Sequence, residues 1–167
     1  MNITTIPFHH YLGIELAEPP NLLQLKSQLH HANHLGTIHA SVLIALAEAA
    51  SGLFLINHLS DYQPDALARE NSAVSQPSLT RASGWYAGDN IFPVIRRIDA
   101  KFHQGAQGTI YARCTLDPNE LSAVHTDLQQ KRRARVQVPM QVIDASETLL
   151  LSVTYDWFIT INPSRTD

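Results

Sequence analysis

From His39 to His58 the chain consists of helix formers and is apolar on almost every side, and this run limits what the rest can fold into. At about 1.5 Å per residue it makes a helix roughly 30 Å long. A helix without a polar face cannot lie on a surface, so other elements have to enclose it. The residues before it, Asn33, His34, Leu35, Gly36 and Thr37, are mostly polar and turn-prone, which sets the helix start near His39.

Few polar groups interrupt the helix, and they are aligned. With about 100° of turn per residue, Ser41, Glu48 and Gly52 fall within roughly 40° of one another, and Ser51 lies slightly off that line. Glu48 is the only carboxylate in the run. A carboxylate among apolar side chains is costly to ionise, so its pKa is expected to rise unless donors or water reach it. Acids held this way are candidates for proton transfer or nucleophilic attack. The plainer alternative keeps Glu48 at a helix edge or subunit seam, where it only accepts hydrogen bonds.

Around this helix the two-residue period of strands recurs. Pro7 to Leu12 reads as a short helix or turn. Ile14 and Leu16 mark a strand ending at Pro19-Pro20, and Leu23, Leu25, Ser27 and Leu29 share the buried face of a second. From Pro93 onward, Val94, Ile98, Ala100 and Phe102 are expected on one face, with Ile95, Arg97, Asp99 and Lys101 opposite and Arg96 as an interruption. Ile110, Ala112, Cys114 and Leu116 share a face of the next strand, where Cys114 is a small core residue. Pro118 to Arg133 reads as a short helix capped by Asn119, its last turn holding Lys131, Arg132 and Arg133. Val136 to Val142 and Leu149 to Trp157 give two more strands about an Asp144–Glu147 turn. Residues 57–92 carry no such period beyond a short helix at 64–74. They read as a long insertion, either a flap in which Trp85 and Tyr86 cover a channel or a surface excursion.

At 167 residues the chain is expected to be one domain, 1–167, with a single core. A net charge of −3 argues against general nucleic-acid binding. The lone cysteine leaves no internal disulfide and fits a reducing compartment. No run of about 18 apolar residues is free of polar interruption, and the N-terminus lacks a basic-then-apolar leader pattern. A cytoplasmic protein with no membrane association is expected. His30, His31, His34 and His39 cluster, but without a known ligand spacing, so neither metal nor cofactor is expected.

Asn33, Gly36, His39 and then Glu48 nine positions later resemble the hotdog-fold thioesterases of the phenylacetate-pathway and 4-hydroxybenzoyl-CoA type. Their segment runs Asn, Gly, His-Gly-Gly and then an Asp or Glu on the central helix. The resemblance is nearest to a thioesterase-like branch with Ala and Glu where its relatives have Gly and Asp. This chain has Ala40 and Ser41 in place of the two glycines, which normally let a thioester approach the backbone. The resemblance implies an α+β hotdog fold, in which a curled antiparallel sheet of about five to six strands wraps one long helix.

It further implies an acyl-CoA hydrolase, or one acting on acyl-carrier-protein thioesters, assembled as a dimer or tetramer with active sites at the dimer seam. Glu48 is then the general base or nucleophile. His39 and Ala40 supply oxyanion donors from the helix start, and Asn33 positions the water or the carbonyl. Gly36 and Ser41 line the substrate approach, and Lys101, Arg132, Arg133 and Arg135 are candidates for the phosphates of coenzyme A. Two other readings remain open. His34, fourteen positions before Glu48, matches the spacing of hotdog β-hydroxyacyl dehydratases, and the Ala40-Ser41 departure suits a hotdog that binds an acyl thioester or fatty acid without turnover.

Overall fold

The apolar run winds into one helix, α2 (Ala40–Leu59), starting one residue later than the sequence suggests. The computed structural model describes residues 3–59 and 91–161. Before α2 come a short helix, α1 (Pro7–Tyr11), and two strands, β1 (Ile14–Leu16) and β2 (Leu23–Lys26). After it come β3 (Ile91–Phe102), β4 (Thr109–Cys114), helix α3 (Ser122–Lys131), β5 (Arg133–Asp144) and β6 (Leu149–Ile161). The strands form one antiparallel sheet in the order β1-β2-β4-β5-β6-β3, curled and unclosed around α2. This is the α+β plan expected of an all-round apolar helix.

Alternation in the long strands supplies the cover. Along β6, Leu151, Val153, Tyr155, Trp157, Ile159 and Ile161 are buried, while Ser152, Thr154, Asp156, Phe158 and Thr160 point to the other face. Ala134, Val136, Val138, Met140 and Val142 do the same on β5. Leu43, Leu46, Ala47, Ala50 and Leu55 of α2 pack into the same core. By length and composition α2 is apolar enough to cross a membrane, despite its polar interruptions, but here most of it is buried within the chain.

Several expectations need correcting. Leu29 does not extend the buried face of β2, because the strand stops at Lys26 and Leu29 enters a 3-10 turn, Leu29–His31, where it is 92% exposed. β3 begins at Ile91, and a bulge between Ile95 and Arg97 moves Val94 off the face of Ile98. One extra residue reverses the alternation beyond it. Ile95, paired with Trp157, therefore shares a face with Ile98, Ala100 and Phe102, which pair with Tyr155, Val153 and Leu151. The helix expected over 118–133 splits into a 3-10 turn, Pro118–Leu121, and α3. Its cap is Asp117, whose carboxylate accepts the Asn119 N–H at 2.9 Å. Arg132 adopts a left-handed conformation (φ 54°) and ends α3, so Arg133 opens a strand and does not close the helix. The proposed insertion shrinks at both ends, since residues 57–59 finish α2 and 91–92 start β3. The helix at 64–74 and the Trp85-Tyr86 cover lie outside the described residues.

Leu46 is fully enclosed and Leu29 almost fully exposed, and the two test this partition. Leu46→Ala is expected to cost about 2–5 kcal/mol in urea unfolding, and Leu29→Ala less than about 0.5 kcal/mol.

Candidate functional site

The start of α2 is held from three sides. The Ile38 N–H donates to the Ala106 carbonyl at 2.8 Å, docking the helix start on the loop between β3 and β4. The His39 N–H donates to the His31 carbonyl at 2.7 Å, tying it to the 3-10 turn. His31 is itself buried, and its Nδ1 accepts the Gln28 N–H at 3.1 Å. Burial and the neighbouring His30 hold the His31 pKa below the usual histidine value.

The third support is the turn over residues 33–37, and Asn33 organises it. Its Oδ1 accepts the N–H groups of Leu35 (2.9 Å) and Thr37 (3.2 Å), and its Nδ2 donates to Thr37 Oγ1 at 2.9 Å. The Gly36 N–H closes the turn on the Asn33 carbonyl at 3.0 Å, with Gly36 at φ +73°, the region that favours glycine. The amide of Asn33 is thus engaged within its own loop, and it reaches the site through loop geometry.

His39 caps the helix through its ring. Its Nδ1 accepts the Ser41 N–H at 3.1 Å and lies 2.8 Å from Ser41 Oγ. An Nδ1 that accepts a backbone N–H carries a lone pair, so the proton of the neutral ring is on Nε2. The Ala40 N–H, first in the helix, has no acceptor among the described residues. His39, Ser41 and Val42 line a crevice of about 300 Å³ together with Phe8 and Leu12.

Glu48 lies two turns further along, half-buried on a stripe with Ser41 and Ile44 that the sheet leaves open. Burial pushes its pKa above the usual carboxylate range, and the charge of His9 on α1 pulls part of the way back. Beneath it the buried Tyr155 hydroxyl donates to the Ile44 carbonyl at 2.7 Å. Ser51 is fully buried: its hydroxyl donates to the Glu48 carbonyl at 2.8 Å and accepts the Trp157 Nε1–H at 3.1 Å. Sequence reasoning set Ser51 aside and missed both aromatic partners. Their signal was present, since Tyr and Trp on the buried face of a strand carry polar tips that need partners.

The predicted residues do not all meet. Eight residues separate Ala40 from Glu48, about 12 Å along the helix axis. Nor do the four proposed phosphate ligands form one group. Lys101 pairs with Ser152 and Arg133 with Thr160, eight positions apart on β6 and so about 26 Å apart along the strand. Arg133 and Arg135 stay together on the outer sheet face, where Arg135 and Arg96 both approach the Phe158 ring, at 5.9 and 5.1 Å. His34 sits exposed on the 33–37 turn. Among the described residues no three His, Cys, Asp or Glu side chains converge as a metal site requires.

No protein-family model matches the chain, and no curated protein matches it by sequence. Solved structures match it by shape. A Pseudomonas aeruginosa protein of unknown function, described as a probable thioesterase, gives a TM-score of 0.66 over 96% of this chain and 91% of its own, at 17% identity. A Bacillus halodurans protein crystallised with CoA gives 0.56 at 15% identity, covering 89% of this chain and 72% of its own. A thioesterase enzyme of Staphylococcus aureus gives 0.55 at 12% identity, over 92% and 98%. The chain has the hotdog fold. In this hotdog the helix start and the helix carboxylate both border open surface, at separate levels of α2.

Glu48 gives a signed prediction. A carboxyl whose folded pKa is raised favours the protonated fold, so its contribution is present below the unfolded value and lost as pH rises through the folded one. Glu48→Gln, which mimics the neutral form, is therefore expected to melt higher than wild type at pH 7. The gap should close as the pH falls below the ordinary glutamate range, and a pH series of melting curves checks it.

Proposed function

We propose that this protein hydrolyses acyl thioesters, with acyl-CoA or an acyl carrier protein as the carrier, at a site completed by a second copy of the chain. The observation that carries the reading is the placement of Glu48, a half-buried carboxylate of raised pKa on the uncovered stripe of α2. A raised pKa suits a group that takes a proton from water and returns it to a leaving thiolate. The Ala40 N–H and the His39 Nε2–H are the donors available to a carbonyl oxygen that becomes negative. The His39 N–H is already committed to His31, so His39 serves here through its ring.

One carbonyl cannot span the roughly 12 Å between those donors and Glu48 of the same chain. A twofold partner resolves this if it brings its own helix start opposite Glu48. β3, the longer of the two edge strands, supports that arrangement: Phe92, Val94, Ile98 and Phe102 are 46%, 45%, 43% and 49% exposed along it. Apolar edges of this length are rarely left in water. Arg132, Arg133 and Arg135 remain candidates for the carrier's phosphates, and Lys101 joins them only from a partner's opposite strand end. The CoA held by the Bacillus halodurans neighbour supports a CoA thioester as the ligand class.

The chemistry balances with residues of this chain. As general base, Glu48 removes a proton from water as its oxygen attacks the thioester carbon, and that proton goes to the departing sulfur. As nucleophile, it attacks the carbon itself, the thiolate leaves and is protonated by solvent, and water then cleaves the anhydride to release the acid and free the carboxylate. The tetrahedral oxygen is held by the donors at the helix start. In both routes collapse of the tetrahedral intermediate breaks the C–S bond. One observation favours a second reading: with its His39 N–H engaged, the helix start is one backbone donor short, which suits a protein that binds the thioester without turning it over.

Purified full-length chain assayed against an acyl-CoA panel tests the choice. Glu48→Gln is expected to lower kcat by about two decades or more with the oligomer intact, and Asn33→Ala by less than about tenfold. Tight acyl-CoA binding with turnover that Glu48→Ala leaves unchanged decides for binding alone. Ile98→Asp is expected to convert the oligomer to monomer in sedimentation and to remove activity with it. An active monomer overturns the shared site.

A further inference from the structure

We propose that Tyr155 and the Ser51–Trp157 pair are positioning residues for Glu48, fastening to β6 the helical turn that carries it. The inference rests on the reading of Glu48 as the reacting carboxylate. In α2 the Glu48 N–H points to the Ile44 carbonyl, and the Glu48 carbonyl lies one turn below. Both carbonyls accept a second hydrogen bond that leads to the sheet, one directly and one through Ser51 of α2 itself. The Tyr155 hydroxyl takes the first at 2.7 Å, and the Ser51 hydroxyl takes the second at 2.8 Å while accepting from Trp157 at 3.1 Å. Tyr155 and Trp157 lie two apart on β6 and so face α2 together.

Elsewhere the apolar core presses α2 against the sheet without direction, because burial alone does not fix rotation about the helix axis. These hydrogen bonds do fix it, at the two carbonyls that bracket the Glu48 backbone. The carboxylate is then presented at one depth and one angle to the open stripe. A misplacement of about 1 Å in a reacting group costs up to about a hundredfold in rate. Tyr155 spends its proton on a backbone carbonyl, so it anchors the turn without neutralising the acid beside it. Among the described residues, His9 on α1 and Tyr155 on β6 are the titratable groups whose charge is coupled to Glu48.

The test is a 13C NMR titration of the Glu48 carboxyl in the full chain, run beside acyl-CoA hydrolysis. Wild type is compared with Tyr155→Phe, Ser51→Ala and, as a remote control, Tyr111→Phe. Releasing the turn lets water reach the carboxyl, so the first two variants are expected to move its midpoint down toward the ordinary glutamate range. They should also lower kcat about tenfold with KM within about twofold, and the shift should persist in a His9→Gln background. Tyr111→Phe is expected to change neither. Should Tyr155→Phe or Ser51→Ala fail to fold, Trp157→Phe removes the donor while keeping a smaller ring in place, and the midpoint and kcat are read on whichever of the three variants folds. An unmoved midpoint and unchanged kcat in the folded variants overturn the positioning role. A midpoint that moves while Glu48→Gln hydrolyses thioesters like wild type upholds the anchor and overturns the hydrolase reading.

Discussion

A helix of twenty residues bearing one charge persists in water only while something covers it, and most of this structure is that cover. β2, β4, β5 and β6 each present alternate apolar residues inward, which requires the sheet to curl. The fully buried Leu46, Leu55, Val138, Tyr155 and Ile159 show how completely helix and sheet remove each other's apolar surface. At about 25 cal/mol per Å², burial of this kind outweighs any single hydrogen bond in the molecule. Polar contacts therefore decide placement more than stability. The Tyr155, Ser51 and Trp157 bonds are the ones that cross from sheet to helix core.

The same constraint leaves a remainder. A sheet that is curled but not closed covers a helix on most sides, and the uncovered stripe runs through Ser41, Ile44 and Glu48. A carboxylate is tolerable only there, whereas the buried Ser51 hydroxyl is fully paired, so the acid and the open side of the helix coincide for a physical reason. An unclosed sheet also has free edges, β1 and the much longer β3. The inward β3 residues Ile98 and Phe102 stay nearly half exposed. The half-buried acid and the partly exposed apolar edge are two results of one incomplete wrapping.

Much of this was legible in the sequence because it depends on period. The helix was placed within one residue, and β5 and β6 were read with the correct faces, since long alternations leave little choice. What failed was local. The alternation ending at Leu29 was overridden by the Gln28–His31 capping box, and the β3 faces were exchanged by a single bulged residue. Asp117 displaced Asn119 as cap because Pro118 takes the first turn. The site was legible as a set of residues but not as a geometry. Asn33 and His39 were recognised by type, yet which of their atoms remain free depends on hydrogen bonds within a five-residue turn. The basic residues were grouped by sign alone, and the register on β6 separates them.

The helix start shows how a departure from a family pattern is absorbed. Glycines at positions 40 and 41 would leave the backbone open and the histidine ring free to turn. Ser41 instead directs its N–H and its hydroxyl to the His39 ring, which fixes both ring orientation and tautomer. Access to the backbone falls, since Ala40 and Ser41 each add a side chain at the point of approach. The ring so held lines the crevice at the helix start. A neutral ring N–H is a competent donor to a developing oxyanion, and one locked in place needs no reorganisation when charge appears. What serine adds over glycine is the hydroxyl 2.8 Å from the His39 ring, a second contact beside the backbone N–H that any residue at position 41 would offer.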